Sequence, residues 1–221
     1  MPDARPDGEG DDPRLGRALA HFEAMAREDP RAIVHEGVRT PWSLHYHRRL
    51  THWVLQLDPD ASPALRLAAA CQHARRWTVP RSRYPTGRSG YRSWRREVAA
   101  LHARTARSVL EEVGWDEETI GRVVTLVLKR GLGRDPEVQL FEDAICAVFV
   151  ENELVELATR QGEDKMLDIL GRTWAKISEA GRRAALEAAG GLPERERRLL
   201  EAATKVPRPA APARAPIAEP T

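Results

Sequence analysis

Polar groups that interrupt apolar helical runs are the places where this chain could do chemistry. Gln72 and His73 close the run Leu65-Arg66-Leu67-Ala68-Ala69-Ala70-Cys71. Left unpartnered in a core, each would cost on the order of 1–3 kcal/mol. A hydrogen-bonded core histidine and a ligand-binding or catalytic histidine are equally good readings of His73. Glu142 and Asp143 pose the same question between Leu140-Phe141 and Ala144-Ile145. Three- and four-residue spacing puts Gln139, Glu142, Asp143 and Cys146 on one helical face. A core-facing carboxylate needs a cation, an imidazole or a metal, whereas one in an exposed first turn is favoured by the helix dipole. His102 stands on the inner stripe of its helix with Val98, Leu101 and Ala106.

A second signal is electrostatic. Eight arginines and no Asp or Glu lie between Arg75 and Arg96, a local excess that suits an anionic partner. Arg76, Arg81, Arg88 and Arg95 offer planar forks, and Lys129 a point charge, for phosphate or carboxylate. Arg76, Arg81 and Arg88 are expected to converge on His73. Trp77, Tyr84, Tyr91 and Trp94 are interleaved with the arginines, able to stack on a base or to staple the loop to the core. His45 and His47, two residues apart, face different sides of a helix and are poor joint ligands. With His52 they read as surface residues. The chain has no Gly-rich phosphate loop, G-x-S-x-G elbow, H-E-x-x-H or C-x-x-C.

Periodicity predicts the helices that position these groups. They span Leu15–Arg27, Trp42–Leu57, Ala64–Trp77, Tyr91–Val113, Asp116–Lys129, Glu137–Arg160, Asp164–Ile177 and Ala180–Ala189, with a short Arg/Glu-rich turn after Pro193. A minute hairpin around Gly37, near residues 32–39, is the one strand signal. A loop from Thr78 to Gly90 is marked by Pro80, Pro85, Gly87 and Gly90. The expected architecture is an all-α, irregular single-domain bundle over 14–203. Composition predicts disordered tails at 1–13 and at 204–221, the latter Pro/Ala-rich.

Composition narrows the function classes. The 221 residues are 42% hydrophobic and carry a net charge of only +2, so a broad nucleic-acid-binding surface is not expected. The two cysteines, Cys71 and Cys146, lie in apolar runs without zinc spacing, which fits a reducing compartment. No apolar stretch approaches the roughly 20 residues that span a bilayer, and the acidic N-terminus lacks an apolar signal region. The chain reads as cytoplasmic, and its long helices with apolar outer positions allow a homodimer.

The segments LRLAAACQHARRWTVPRSRYPTGRSGYRSWRREVAALHA, GWDEETIGRVVTLVLKRGL, DPEVQLFEDAICAVFVE and DKMLDILGRTWAKIS resemble a family of bacterial and fungal proteins known as domain of unknown function 4202. The resemblance runs from about Leu15 to Leu186 and supplies no activity. Helix order and spacing are also similar, more distantly, to the His-Asp (HD) metal-dependent phosphohydrolase superfamily. That resemblance implies an HD-domain-like fold and a metal held by His73, His102 and Asp143. The tandem here is Gln-His rather than His-Asp, and the early helix offers Tyr46 and Arg49 where the superfamily has a histidine.

Together these readings favour metal-dependent hydrolysis of a small phosphorylated or anionic metabolite. One divalent ion (Zn, Mn or Fe) is implied, with Glu142 and His73 catalytic. Arg49, Gln72, Arg76, Arg81, Arg88, Tyr91, Arg95, Lys129 and Gln139 are the candidate anion- and substrate-binding residues. The alternatives are a nucleic-acid or tRNA-associated binding protein and a non-catalytic anion-sensing scaffold.

Overall fold

Five of the helices begin where a short polar residue satisfies their free N–H groups. A computed structural model describes residues 12–35 and 37–205. In chain order they form α1 (Pro13–Arg27), β1 (Ala32–His35), β2 (Val38–Pro41), α2 (Trp42–Leu57), α3 (Pro63–Cys71), α4 (Gly87–Val113), α5 (Glu117–Leu128), α6 (Pro136–Asn152), α7 (Leu154–Arg160), α8 (Glu163–Trp174), α9 (Glu179–Ala188) and α10 (Glu194–Thr204), with 3-10 turns at Arg76–Thr78, Arg81–Arg83 and Ala189–Gly191. The Asp12, Ser62, Asp116, Asp135 and Ser178 side chains accept first-turn N–H groups of α1, α3, α5, α6 and α9, the role that makes Ser and Asp preferred caps. Proline follows the cap in α1, α3 and α6, where its missing N–H costs nothing. Gly114 ends α4 in the left-handed conformation, as a helix C-cap glycine should.

Among the described residues the fold is all-α apart from one hairpin, in which Ala32 pairs with Pro41 and His35 with Val38. The helical ends overrun the expected bounds of 14 and 203 by a residue, since α1 starts at Pro13 and α10 stops at Thr204. Most of both expected tails lies outside the described residues.

Two hydrophobic cores meet at α6. The first gathers Leu15, Phe22, Leu50, Leu65, Leu67, Leu110, Ile120, Leu126 and Phe141 from α1 to α6. The second gathers Val150, Leu154, Met166, Leu170, Leu199 and Leu200 from the end of α6 to α10. Helix α6 supplies both, which explains why it is apolar nearly all round: such a helix must be buried on every side. The small α9 closes over it. An ideal Cβ at Gly181 would sit 2.5 Å from Asp143 Cγ and Oδ1, so only glycine permits this approach.

Three expected helices are shorter than their sequence patterns, one of them ending at Trp174 rather than Ile177. Helix α4 starts at Gly87, inside the expected 78–90 loop, and the expected turn after Pro193 is the 11-residue α10. Helix α3 stops at Cys71 instead of Trp77, because Gln72 is extended (φ −60, ψ 128) and His73 adopts φ 68. The segment 137–160 breaks at Glu153 (φ −116, ψ −20), which redirects the chain so that Leu154 and Ala158 enter the second core. Lys129, expected inside its helix, is instead a left-handed cap with φ 55.

Gly181→Ala is expected to destabilise the fold by roughly 1–3 kcal/mol through overpacking against Asp143. Gly190→Ala, where a Cβ would meet nothing within 4 Å, should stay within about 0.5 kcal/mol. Urea unfolding of both variants checks this.

Candidate functional site

Helices α2, α4, α5 and α6 converge on the turn that follows α3. His47 on α2 is buried, and its Nε2 lies 2.5 Å from the Gln72 carbonyl oxygen. A carbonyl only accepts, so Nε2 carries the proton and donates. This contact holds Gln72 extended, and the next residue, His73, swings into the left-handed region (φ 68), followed two residues later by Arg75 (φ 53). Two non-glycine residues with positive φ in one turn are uncommon, and such strain is held only where the surroundings fix it.

The turn delivers the His73 ring into an aromatic wall. Its centroid lies 4.5 Å from Tyr46 and 5.9 Å from Trp42, while Trp42 stacks on Tyr46 at 5.1 Å. Outside this wall the Arg31 guanidinium sits 4.6 Å over Trp42. Arg31 is held by Asp29 (Nη2–Oδ2 2.7 Å), which also accepts from the Ser43 hydroxyl at 2.6 Å. The His102 ring of α4 stands 5.5 Å from that of His73.

The two rings face a surplus of positive charge. Burial depresses the His73 pKa well below its ordinary value, and Arg76, His102 and Lys129 push it further down. Burial, then Arg76, brings His102 down to about 3. Burial brings His47 down to about 4. All three imidazoles are therefore neutral at physiological pH. Burial also lowers Arg76, whose guanidinium lies 5.1 Å over the Trp94 ring. Lys129 is pushed down by burial and held charged by Glu142, whose Oε2 is 2.5 Å from its Nζ. Burial opposes ionisation of Glu142, but Lys129 and Lys176 outweigh it and its pKa is lowered.

Polar atoms in this cluster lack partners. Among the described residues His73 Nδ1, His102 Nε2 and Gln72 Oε1 are buried without a hydrogen bond, whereas buried polar groups in folded proteins almost always have one. Two unpartnered imidazole nitrogens on adjacent rings, beside Arg76 and Lys129, form a place for a ligand that can both accept and neutralise.

Two residues of this cluster are absent from the expected set. Glu153, at the break between α6 and α7, has a pKa raised by burial, with Arg76 opposing. Its signal was the polar run Glu151-Asn152-Glu153 in an otherwise apolar segment. Tyr46 is 2% exposed, and burial drives its hydroxyl well above the ordinary value, with Glu153 adding to the effect.

His73, His102, Arg76, Gln72, Lys129 and Glu142 are brought together. Arg95 joins them at the rim, where its charge acts on Tyr46, His102, Lys129 and Glu142. Other expected site residues go elsewhere. Asp143 accepts from Gln139 Nε2 (2.9 Å), Ser178 N (2.9 Å) and Ser178 Oγ (2.5 Å), so it and Gln139 tie α6 to the start of α9. Arg49 forks onto Glu151 at 2.9 and 2.6 Å. Arg81 donates to its own loop at Tyr84 O and Pro85 O, so the expected convergence of Arg76, Arg81 and Arg88 reduces to Arg76. Arg88 is exposed, and Tyr91 is half-exposed with its ring 5.7 Å from Trp94. Trp94 is a staple, donating from Nε1 to Val79 O at 2.9 Å.

His45 and His47, expected at the surface, are buried, and only His52 is exposed. His45 Nε2 contacts Asn152 Oδ1 at 2.7 Å. Among the described residues no group of three or more His, Cys, Asp or Glu side chains could hold a metal. With Asp143 engaged at Ser178, the set His73, His102 and Asp143 does not fit one. An open cleft of about 420 Å³ lies away from this cluster, between His35, Arg49, His52, Trp53, Glu151 and Glu187. Its Arg49, Glu151 and Trp53 groups bond to one another, which leaves them little to offer a ligand.

The chain matches the family model "Domain of unknown function (DUF4202)" over residues 16–200, and it belongs to that family. No curated protein and no solved structure matches it. Among the described residues no helix is long and apolar enough to cross a membrane.

Neutral buried histidines make stability pH-dependent. Unfolded histidines titrate near 6.5, so below that pH the unfolded chain binds protons that folded His47 and His102 do not. Stability present above that value is therefore lost as pH falls from about 6.5 toward 4 for His47 and toward 3 for His102. Each group accounts for on the order of 2 kcal/mol at pH 5. His102→Gln should shrink the loss between pH 7 and pH 5 by about that amount in urea unfolding.

Proposed function

We propose that this member of the DUF4202 family binds a small phosphorylated or otherwise anionic metabolite between His73, His102, Arg76 and Lys129, and hydrolyses it with an imidazole as base. The observation that carries this reading is the pair of unpartnered nitrogens, His73 Nδ1 and His102 Nε2, buried beside two desolvated cations. An anion seated there supplies both missing features. It accepts hydrogen bonds from the neutral rings or from Arg76, and it offsets a positive charge that the core otherwise holds at a cost. The same surplus of charge opposes a bare divalent cation.

The electrostatics link binding to chemistry. Burial first, and then the neighbouring cations, hold His73 and His102 below neutrality, whereas a general base works best with a pKa near the operating pH. Neutralising Arg76 and Lys129 removes part of that depression. The bound anion thus raises the basicity of the rings beside it, and an imidazole can then take a proton from a water that attacks phosphorus and return it to the leaving oxygen as the P–O bond to that group breaks. Tyr46 and Trp42 wall the His73 ring and limit water there.

Binding that raises the ring pKa values should take up protons, and affinity should rise as pH falls through the pKa of the anion-bound site. Inorganic phosphate and pyrophosphate are the first probes. Each should raise the melting temperature with concentration, by an amount equivalent to about 2.7 kcal/mol at a hundredfold excess over Kd. Arg76→Gln and Lys129→Gln should each abolish the rise. Calorimetry in buffers of different ionisation enthalpy should register the proton uptake. If neither phosphate nor pyrophosphate stabilises the protein, and no pool of phosphorylated or carboxylated metabolites does, the reading fails.

A further inference from the structure

Helix α4 carries its charge on the face turned away from the core. In its first half Gly90, Trp94 and Val98 are buried, while Arg88, Arg92, Arg95 and Arg96 are exposed. At 100° per residue these four arginines cluster opposite the buried three. Among the described residues Arg88, Arg92 and Arg96 have no ion-pair or hydrogen-bond partner, unlike Arg107 farther along α4, which forks onto Glu117. The other arginines of the basic segment have internal tasks: Arg75 pairs with Glu28, Arg76 lies over the Trp94 ring, Arg81 holds Tyr84 and Pro85, and Arg83 reaches Thr78 O.

The charge is segregated as well as unpaired. Residues 75–96 hold eight arginines and no acid in a chain of net charge +2, so the remainder is net −6. A positive face on an otherwise acidic molecule concentrates polyanions at one place instead of coating the whole surface.

We propose that this outer face of α4 docks a single strand of nucleic acid. The spacing suits it. Arg88, Arg92 and Arg96 span about 12 Å of helix at 1.5 Å per residue, roughly the axial length of three to four nucleotides at 3.4 Å each. Every cation on the face is arginine, whose planar fork matches phosphate and stacks on bases. Tyr91, 49% exposed and braced by Trp94, lies beside Arg88 and Arg95 as a platform for a base. A protein partner would be expected to need a buried apolar anchor, and a membrane a row of insertable Leu, Phe or Trp. Tyr91 is the one large apolar side chain exposed on this half of α4. Arg88, Arg92 and Arg96 lie apart from the His73 cluster, whose rim Arg95 borders.

The test is fluorescence anisotropy of labelled 12-nucleotide RNA and DNA strands with the full chain across a NaCl series. Three phosphate contacts predict a slope of log K against log[salt] of about −2, at roughly −0.7 per contact on a single strand. Arg88→Gln/Arg92→Gln/Arg96→Gln should weaken binding at least tenfold at low salt and flatten the slope, with the phosphate-induced rise in melting temperature unchanged. The same three positions changed to Lys should keep the slope, because charge is retained. Tyr91→Ala should weaken binding about tenfold with the slope unaltered. The proposal is overturned by no measurable binding, by equal binding of the glutamine variant, or by poly-glutamate binding as tightly as the oligonucleotides at matched salt. Loss of the phosphate stabilisation alone would count against the His73 site and leave this one standing.

Discussion

Three desolvated, neutral imidazoles, two of them beside desolvated cations, form the constraint around which this domain is arranged. His47, His73 and His102 come from α2, the turn after α3, and α4, while the cations that depress the basicity of His73 and His102 come from the 3-10 turn at Arg76 and the cap of α5 at Lys129. None of these groups is comfortable in a core singly. The packing of α2, α3, α4, α5 and α6 is compatible with them because several arrive with a counterpart: His47 with the Gln72 carbonyl, Lys129 with Glu142, Arg76 with the Trp94 face. What stays unmatched is concentrated at His73 and His102. Strain and unsatisfied polarity thus share one place, which is where function is usually found.

Helix α6 divides its acids between two kinds of work. Glu142 turns toward Lys129 and the imidazole cluster, whereas neighbouring Asp143 turns toward Ser178 and secures α9. One residue along a helix is about a 100° rotation, enough to separate a charge that tunes the site from one that fastens the second core. Glu151 and Asn152 repeat the division, bonding Arg49, Trp53 and His45 just before Glu153 breaks the helix and faces the field of Arg76. The arginine-rich segment splits in the same manner into interior, loop-bracing and surface members.

The amphipathic stripes made the all-α class legible, and Asp or Ser ahead of an apolar run, often with proline, marked several helix starts within a residue or two. Helix α2 was legible over its whole length, and the hairpin was visible around Gly37. The importance of Gln72-His73, His102 and Glu142 was legible too, because polar residues in apolar runs demand an explanation. Sequence could not show that α3 stops at Cys71, since LAAACQHARRW continues a helical pattern and the decisive contact, from His47 to the Gln72 carbonyl, comes from 25 residues upstream. Nor could it show Glu153, whose role depends on a break that periodicity does not record.

By itself the sequence determined the all-α class, the apolar stripes and the inventory of groups able to do chemistry, because these follow from short-range periodicity and desolvation cost. Only the tertiary structure decided the pairing: Asp143 with Ser178 rather than with His73, Arg49 with Glu151 rather than with a ligand, Arg81 with its own loop, and His45 and His47 inside rather than out. Side-chain direction sets those outcomes. A one-residue change of helical phase or a left-handed turn reverses it while leaving composition and spacing the same.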